Sequence, residues 1–73
     1  MAEASIAAEI AGRVCALNVK VGDKVQEGDE LILVEAMKME LPVTSSSTGS
    51  VTSILVKIDD VIVEGQIIAT VET

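Results

Sequence analysis

Residues 35–40 read EAMKME. Lys38 is one of only five cationic residues in the chain. It stands between Met37 and Met39, with Ala36 before them and Glu35 and Glu40 at the borders. A lysine amine is a nucleophile once deprotonated, and it is a common target of covalent modification. A thioether at a surface supplies flexible, polarisable contact area. Together these residues describe an amine displayed for modification and framed by groups a partner can read. The competing description is a solvated turn lysine with both methionines folded back onto the core. Glu35 and Glu40 either steer a partner or keep the segment wet.

Little else in the sequence offers chemistry. There is no histidine, so a Cys–His nucleophile pair and any His-containing zinc site are excluded. The one cysteine, Cys15, rules out an internal disulfide and reads as a small buried core residue. Asp59-Asp60 is an adjacent carboxylate pair, and it reads as turn chemistry. Ser45-Ser46-Ser47 has no base partner and reads as loop. No catalytic residue and no metal site are expected.

Composition narrows the partners. Twelve acids against five bases give a net charge of −7. That charge repels phosphate backbones, and the absence of Phe, Tyr and Trp removes any stacking platform for bases. No nucleic-acid partner is expected. No apolar run has the length of a membrane span and no signal peptide is visible, so a cytoplasmic location away from membranes is expected. Seventy-three residues make one small domain, expected to be monomeric in isolation. Its core must be aliphatic, from 11 Val, 8 Ile and 5 Leu. The excess of β-branched side chains favours strands.

The elements that must position Lys38 emerge from an internal repeat. Residues 12–36, GRVCALNVKVGDKVQEGDELILVEA, align without a gap on residues 49–73, GSVTSILVKIDDVIVEGQIIATVET. The offset is 37 throughout. Two copies are too few for a solenoid, so a two-fold arrangement around one shared core is expected. Within each copy, Leu17, Val19 and Val21 alternate with Asn18 and Lys20, as Ile54, Val56 and Ile58 do with Leu55 and Lys57. Such alternation predicts a strand there, with Lys20 and Lys57 inside it. Turn residues follow at Gly22-Asp23 and Asp59-Asp60. A second turn at Glu27-Gly28 and Glu64-Gly65 calls for positive φ at the glycine. The dense runs 31–36 and 67–72 suit strands covered on both faces. Pro42 argues against a helix through the middle of the chain and limits pairing, as expected of an edge or a strand end. Residues 44–50 read as a loop, and residues 1–4 as a flexible terminus before a domain spanning 5–73. The whole predicts about eight short strands in two sheets: an all-β sandwich or flattened barrel.

Within this scheme Met37, Lys38 and Met39, which follow the repeat directly, have no counterpart in the second copy. They join the last strand of the first copy to the short alternating segment LPVT. So few connecting residues imply a tight hairpin with Met37-Lys38 at its tip.

The run EAMKM, followed by ELPVTSSSTGSV and preceded by VKVGDKVQEGDELILV, resembles the attachment motif of biotinyl (biotin carboxyl carrier) domains of the biotin/lipoyl attachment family. The resemblance spans about residues 5–73. It implies a barrel-sandwich hybrid of two four-stranded antiparallel sheets with quasi-two-fold symmetry. The gapless repeat implies that the thumb-like insertion of some relatives is missing. It implies covalent biotin on Lys38 through an amide made by a biotin protein ligase with ATP. Glu35, Ala36, Met37, Met39 and Glu40 would then form the recognition frame. It further implies a carrier that is not itself an enzyme, serving a biotin carboxylase and a carboxyltransferase of a biotin-dependent, acyl-CoA-type carboxylase. A lipoyl domain is a rival within the same fold, although its lysine is typically preceded by Asp and followed by Ala. An unmodified β-sandwich interaction module using Met37 and Met39 is a rival from another class.

Overall fold

A computed structural model describes residues 2–73. Eight strands account for the regular structure: β1 (Glu3–Ala7), β2 (Gly12–Leu17), β3 (Lys24–Val25), β4 (Glu30–Ala36), β5 (Met39–Thr44), β6 (Gly49–Ile54), β7 (Val61–Ile62) and β8 (Ile67–Glu72). They form two four-stranded antiparallel sheets, ordered β1-β8-β6-β3 and β5-β4-β2-β7. The longest connections, 18–23 and 55–60, are six residues each, too short for a thumb. Among the described residues no helix is long and apolar enough to cross a membrane.

The repeat becomes an exchange of strands. β3, from the first copy, pairs with β6 of the second, and β7, from the second, pairs with β2 of the first. The connecting hydrogen bonds recur at the same offset of 37. Gly22 N–H donates to the Val51 carbonyl, and Asp59 N–H donates to Val14. Asn18 N–H donates to Leu31, and Leu55 N–H donates to Ile68. Each copy therefore completes the other's sheet. Strand β1 is the counterpart of β5, so the β4–β5 hairpin corresponds to the place where the chain ends meet. There Thr73 N–H donates to the Ala2 carbonyl at 2.8 Å. The hairpin and the chain ends lie at opposite ends of a molecule 37 Å long and 19 Å across.

The core between the sheets is aliphatic. Val14, Leu31, Val34, Ile62, Ile68 and Val71 are among its fully buried side chains. At Gly12 and Gly49 the strands come so close that no side chain fits. A Cβ at Gly12 would lie 2.5 Å from the Glu35 carbonyl oxygen, and one at Gly49 would meet the carbonyl of Glu72. Gly28 and Gly65 take φ of 94° and 88°, as their turns require.

Several expectations are corrected. The alternating segments 17–21 and 54–58 are not strands. β2 and β6 end at Leu17 and Ile54, and the chain then crosses from one sheet to the other. During this crossing alternate residues no longer share a face. Val19 and Val56 still pack against the core, but Val21 and Ile58 are exposed, and Lys20 and Lys57 lie outside the strands. The dense runs are not covered on both faces. The register shift between Glu30 and Ile32 brings Leu31 and Ile32 inward in succession, after which Leu33 and Glu35 face outward. Cys15 is not a core residue. It is the extra residue of a bulge between Val14 and Ala16, repeated at Thr52, and is only half-buried. The loop shrinks to 45–48, because Gly49 and Ser50 belong to β6. Of the expected flexible terminus, Met1 lies outside the described residues. Glu3 and Ala4 instead pair with Glu72 and Val71 in β1.

Candidate site of covalent modification

Strands β4 and β5 build the site. Their pairs run from Glu30–Thr44 up to Glu35–Glu40 and Ala36–Met39, leaving Met37 and Lys38 as a two-residue turn. Both turn residues are left-handed, with φ of 51° and 63°. This is the type I′ geometry, whose twist matches that of the flanking strands. Asn and Gly adopt it readily, whereas other side chains cost roughly 1 kcal/mol or more per residue. The turn thus holds two residues that local backbone chemistry disfavours. Met37 is 93% exposed, and Lys38, Met39 and Glu40 are exposed as well. Ala36 is half-buried at the base of the turn. Among the described residues no side chain bonds or pairs with the Lys38 amine. The methionines do not fold back onto the barrel. Pro42 lies on β5, an edge strand as expected.

One contact network near the hairpin was not visible in the motif. Arg13 on β2 donates to Glu35 Oε1 at 3.0 Å through one nitrogen and to Asp59 Oδ1 at 2.9 Å through another. The bond to Glu35, and the charges of Glu35 and Asp59, hold the guanidinium pKa above its ordinary value. Glu35 and Glu40 face each other across the strands, where like charges repel. Arg13 offsets that repulsion and draws Glu35 along the sheet surface. Both partners are about half exposed, so the stabilisation is small. Asp59 takes φ of 77° where the first copy has Gly22. That mismatch within the repeat, an acid in a glycine position, is the signal that could have pointed to Arg13. Asp60 serves the turn as expected, accepting from the Lys57 N–H at 2.8 Å, as Asp23 accepts from Lys20. The Cys15 thiol donates weakly to the Leu33 carbonyl at 3.4 Å and lies 3.8 Å from Glu40 Oε2. Burial first, and then the Glu40 charge, push its pKa up.

The family can now be read from comparison with known proteins. Residues 1–71 match the biotin/lipoyl profile described as "biotin-requiring enzyme". The chain belongs to the biotin/lipoyl attachment family. It is 42% identical over 71 residues to the "Biotinylated protein TB7.3 homolog" of Mycobacterium leprae (strain TN), covering 97% of this chain and 99% of that protein. It is 43% identical over 61 residues to the mitochondrial propionyl-CoA carboxylase alpha chain of Sus scrofa, covering 84% of this chain but 8% of that one. The Kluyveromyces lactis urea carboxylase structure superimposes with a TM-score of 0.92 at 33% identity, over 99% of this chain and 6% of that one. The fold is thus the barrel of biotin carrier domains, and the cofactor of this domain is biotin.

The residues fit a covalently held group better than an enclosed one. The cavity beside Ala7, Ile10 and Pro42 holds about 40 Å³, well below the roughly 300 Å³ at which ligand pockets begin. The other depression, about 510 Å³ and open, is lined by Lys24, Val25 and Thr48 near the chain ends. Neither includes Lys38 or any other residue of the segment 35–40. An unpartnered primary amine at a rigid tip can instead hold biotin through an amide.

Proposed function

We propose that Lys38 is the residue that carries biotin, and that this domain is the carboxyl carrier of a biotin-dependent carboxylase. The observation that carries this reading is the turn itself. An unpartnered amine stands on a strained two-residue turn, framed by exposed methionines, at the end of the barrel farthest from the chain ends. A biotin protein ligase would join the Lys38 nitrogen to the valeryl carboxyl of biotin, activated with ATP. The Lys38 ammonium gives up two protons in becoming an amide N–H, the nucleotide phosphate that activated the carboxyl departs, and the lost positive charge takes the chain from the −7 of its sequence to −8. When bound, biotin supplies a ureido nitrogen that holds and gives up carboxylate.

The rest is done by the chain. The paired strands hold the turn rigid, and Arg13 keeps Glu35 along the sheet and away from the Lys38 amine. Tethering raises the effective concentration of the group at each partner in turn. The partners are a biotin carboxylase and a carboxyltransferase, working in the cytoplasm. The likeness to a propionyl-CoA carboxylase chain supports an acyl-CoA acceptor. Met37, Met39, Ala36, Glu35 and Glu40 form the frame the ligase reads.

The test is a streptavidin blot of protein coexpressed with a biotin protein ligase. The parent is expected to be labelled. Lys38→Arg, which keeps charge and approximate length, is expected to lose all label. Label persisting in that variant would remove Lys38 from the role.

A further inference from the structure

The internal repeat acts as a control on the surface. Residues 37 apart occupy equivalent places in the barrel, so the fold makes nearly the same demands on both. At four exposed positions the two copies nevertheless differ in kind. Asn18, Lys24, Gln26 and Glu30 in the first copy become Leu55, Val61, Val63 and Ile67 in the second. The apolar four are exposed to between 37% at Ile67 and 77% at Val61. Packing cannot be the reason, because polar residues serve equally well at the equivalent sites.

The apolar set lies in the half of the molecule that carries Lys38. Val61 pairs with Arg13, which pairs with Glu35, which pairs with Glu40, so all four share one row across the sheet beside the hairpin. Ile67 pairs with Ala7, at the end of β8 away from the chain ends, and Leu55 N–H bonds to its neighbour Ile68. Lys24 pairs with Ser50 beside Glu72, at the opposite end. Met37, Met39 and Ile58 add to the same half. Among the described residues Val21 is the one exposed large apolar side chain in the other half. Glu35, Glu40, Asp59, Asp60 and Glu64 are exposed in this half against the two cations Arg13 and Lys57 beside Lys38, so its surface is net acidic.

We infer that the apolar surface of this half, with Val61 in the row beside the hairpin and Val63, Ile67 and Leu55 behind it, is the docking surface for the biotin protein ligase that acylates Lys38. The inference rests on the attachment of biotin at Lys38. An enzyme that acylates the amine must bring its own reacting atom to the lysine nitrogen, so it closes over the tip and the surface behind it. An enzyme that works on the attached group meets it at the far end of the lysine and acyl arms. The ligase face is therefore apolar where it meets these residues, with Lys and Arg facing the acidic residues of this half.

The test uses the repeat's own residues. In Leu55→Asn/Val61→Lys/Val63→Gln/Ile67→Glu each side chain is replaced by its first-copy equivalent, and net charge is unchanged. The mirror variant, Asn18→Leu/Lys24→Val/Gln26→Val/Glu30→Ile, makes the same exchange at the other end. Biotinylation by a purified ligase with saturating biotin and ATP is followed against protein concentration, alongside the thermal midpoint. The first variant is expected to raise KM about tenfold or more, with kcat and midpoint near the parent, and the mirror variant to match the parent. Should the fourfold variant fail to fold, Val61→Lys alone, at a highly exposed site, is expected to raise KM several-fold. Parent-like KM in a folded variant overturns the proposal. So does normal biotinylation with slowed carboxylation by a biotin carboxylase, which would give the face to that enzyme. A parent chain that takes no label at Lys38 would instead remove the attachment reading on which the proposal rests.

Discussion

Lys38 is set apart by its surroundings more than by its own chemistry. Its amine has no partner among the described side chains, and its neighbours Met37 and Met39 spend their apolar surface on solvent. Exposure of this kind at a turn has no stabilising return, which points to recognition. Met37→Leu and Met39→Leu conserve volume, and such exchanges cost under about 1.5 kcal/mol even inside cores. At this tip the double variant is expected to melt near the parent yet be biotinylated or carboxylated more slowly, since leucine is branched and less adaptable. Thermal midpoint and both rates, measured on one preparation, check this. A large drop in midpoint with unchanged rates would make the methionines packing residues.

The hairpin as an element was legible, because LILVEA and LPVT are separated by too few residues for any longer connection. The left-handed conformation of its tip was not written in the residues, since Met-Lys is a poor type I′ pair. It follows from the strand twist on either side, a tertiary constraint that overrides local preference. Met37→Asn relieves that conflict and is expected to raise the thermal midpoint, the gain being about 0.5–1 kcal/mol. The same change should slow biotinylation, because it removes a thioether from the frame. A lower midpoint would show that the tip is not strained. The segments 17–21 and 54–58 misled for a related reason. Period-two alternation reports a strand only while the chain stays in one sheet, and here it crosses between two. The bulges at Cys15 and Leu31 shifted faces in the same way, and a one-residue shift leaves no mark in the pattern of apolar residues.

At the scale of the molecule, the repeat carried the most information. It implied a shared core, and the structure adds that the copies exchange strands, with β3 on β6 and β7 on β2. A fragment of residues 1–46 loses β6 and β8, and with them the central pair of one sheet. It is expected not to fold, and a dispersed two-dimensional NMR spectrum from it would contradict the exchange. Val56→Ala removes two buried methyl groups and is expected to cost about 1–3 kcal/mol. Val19→Ala, at a less buried site, should cost less, as equilibrium unfolding of the two variants would show. The Arg13 bridge escaped the sequence because Arg13 and Asp59 are 46 residues apart and meet only through the exchange. The central claim, that this barrel exists to display one biotin on Lys38, is tested most directly by peptide mass mapping of protein coexpressed with both a biotin ligase and a lipoate ligase. The account predicts a single biotinyl group on the peptide containing Lys38 and none elsewhere. A lipoyl group there, or a biotinyl group on Lys20, Lys24 or Lys57, would contradict it.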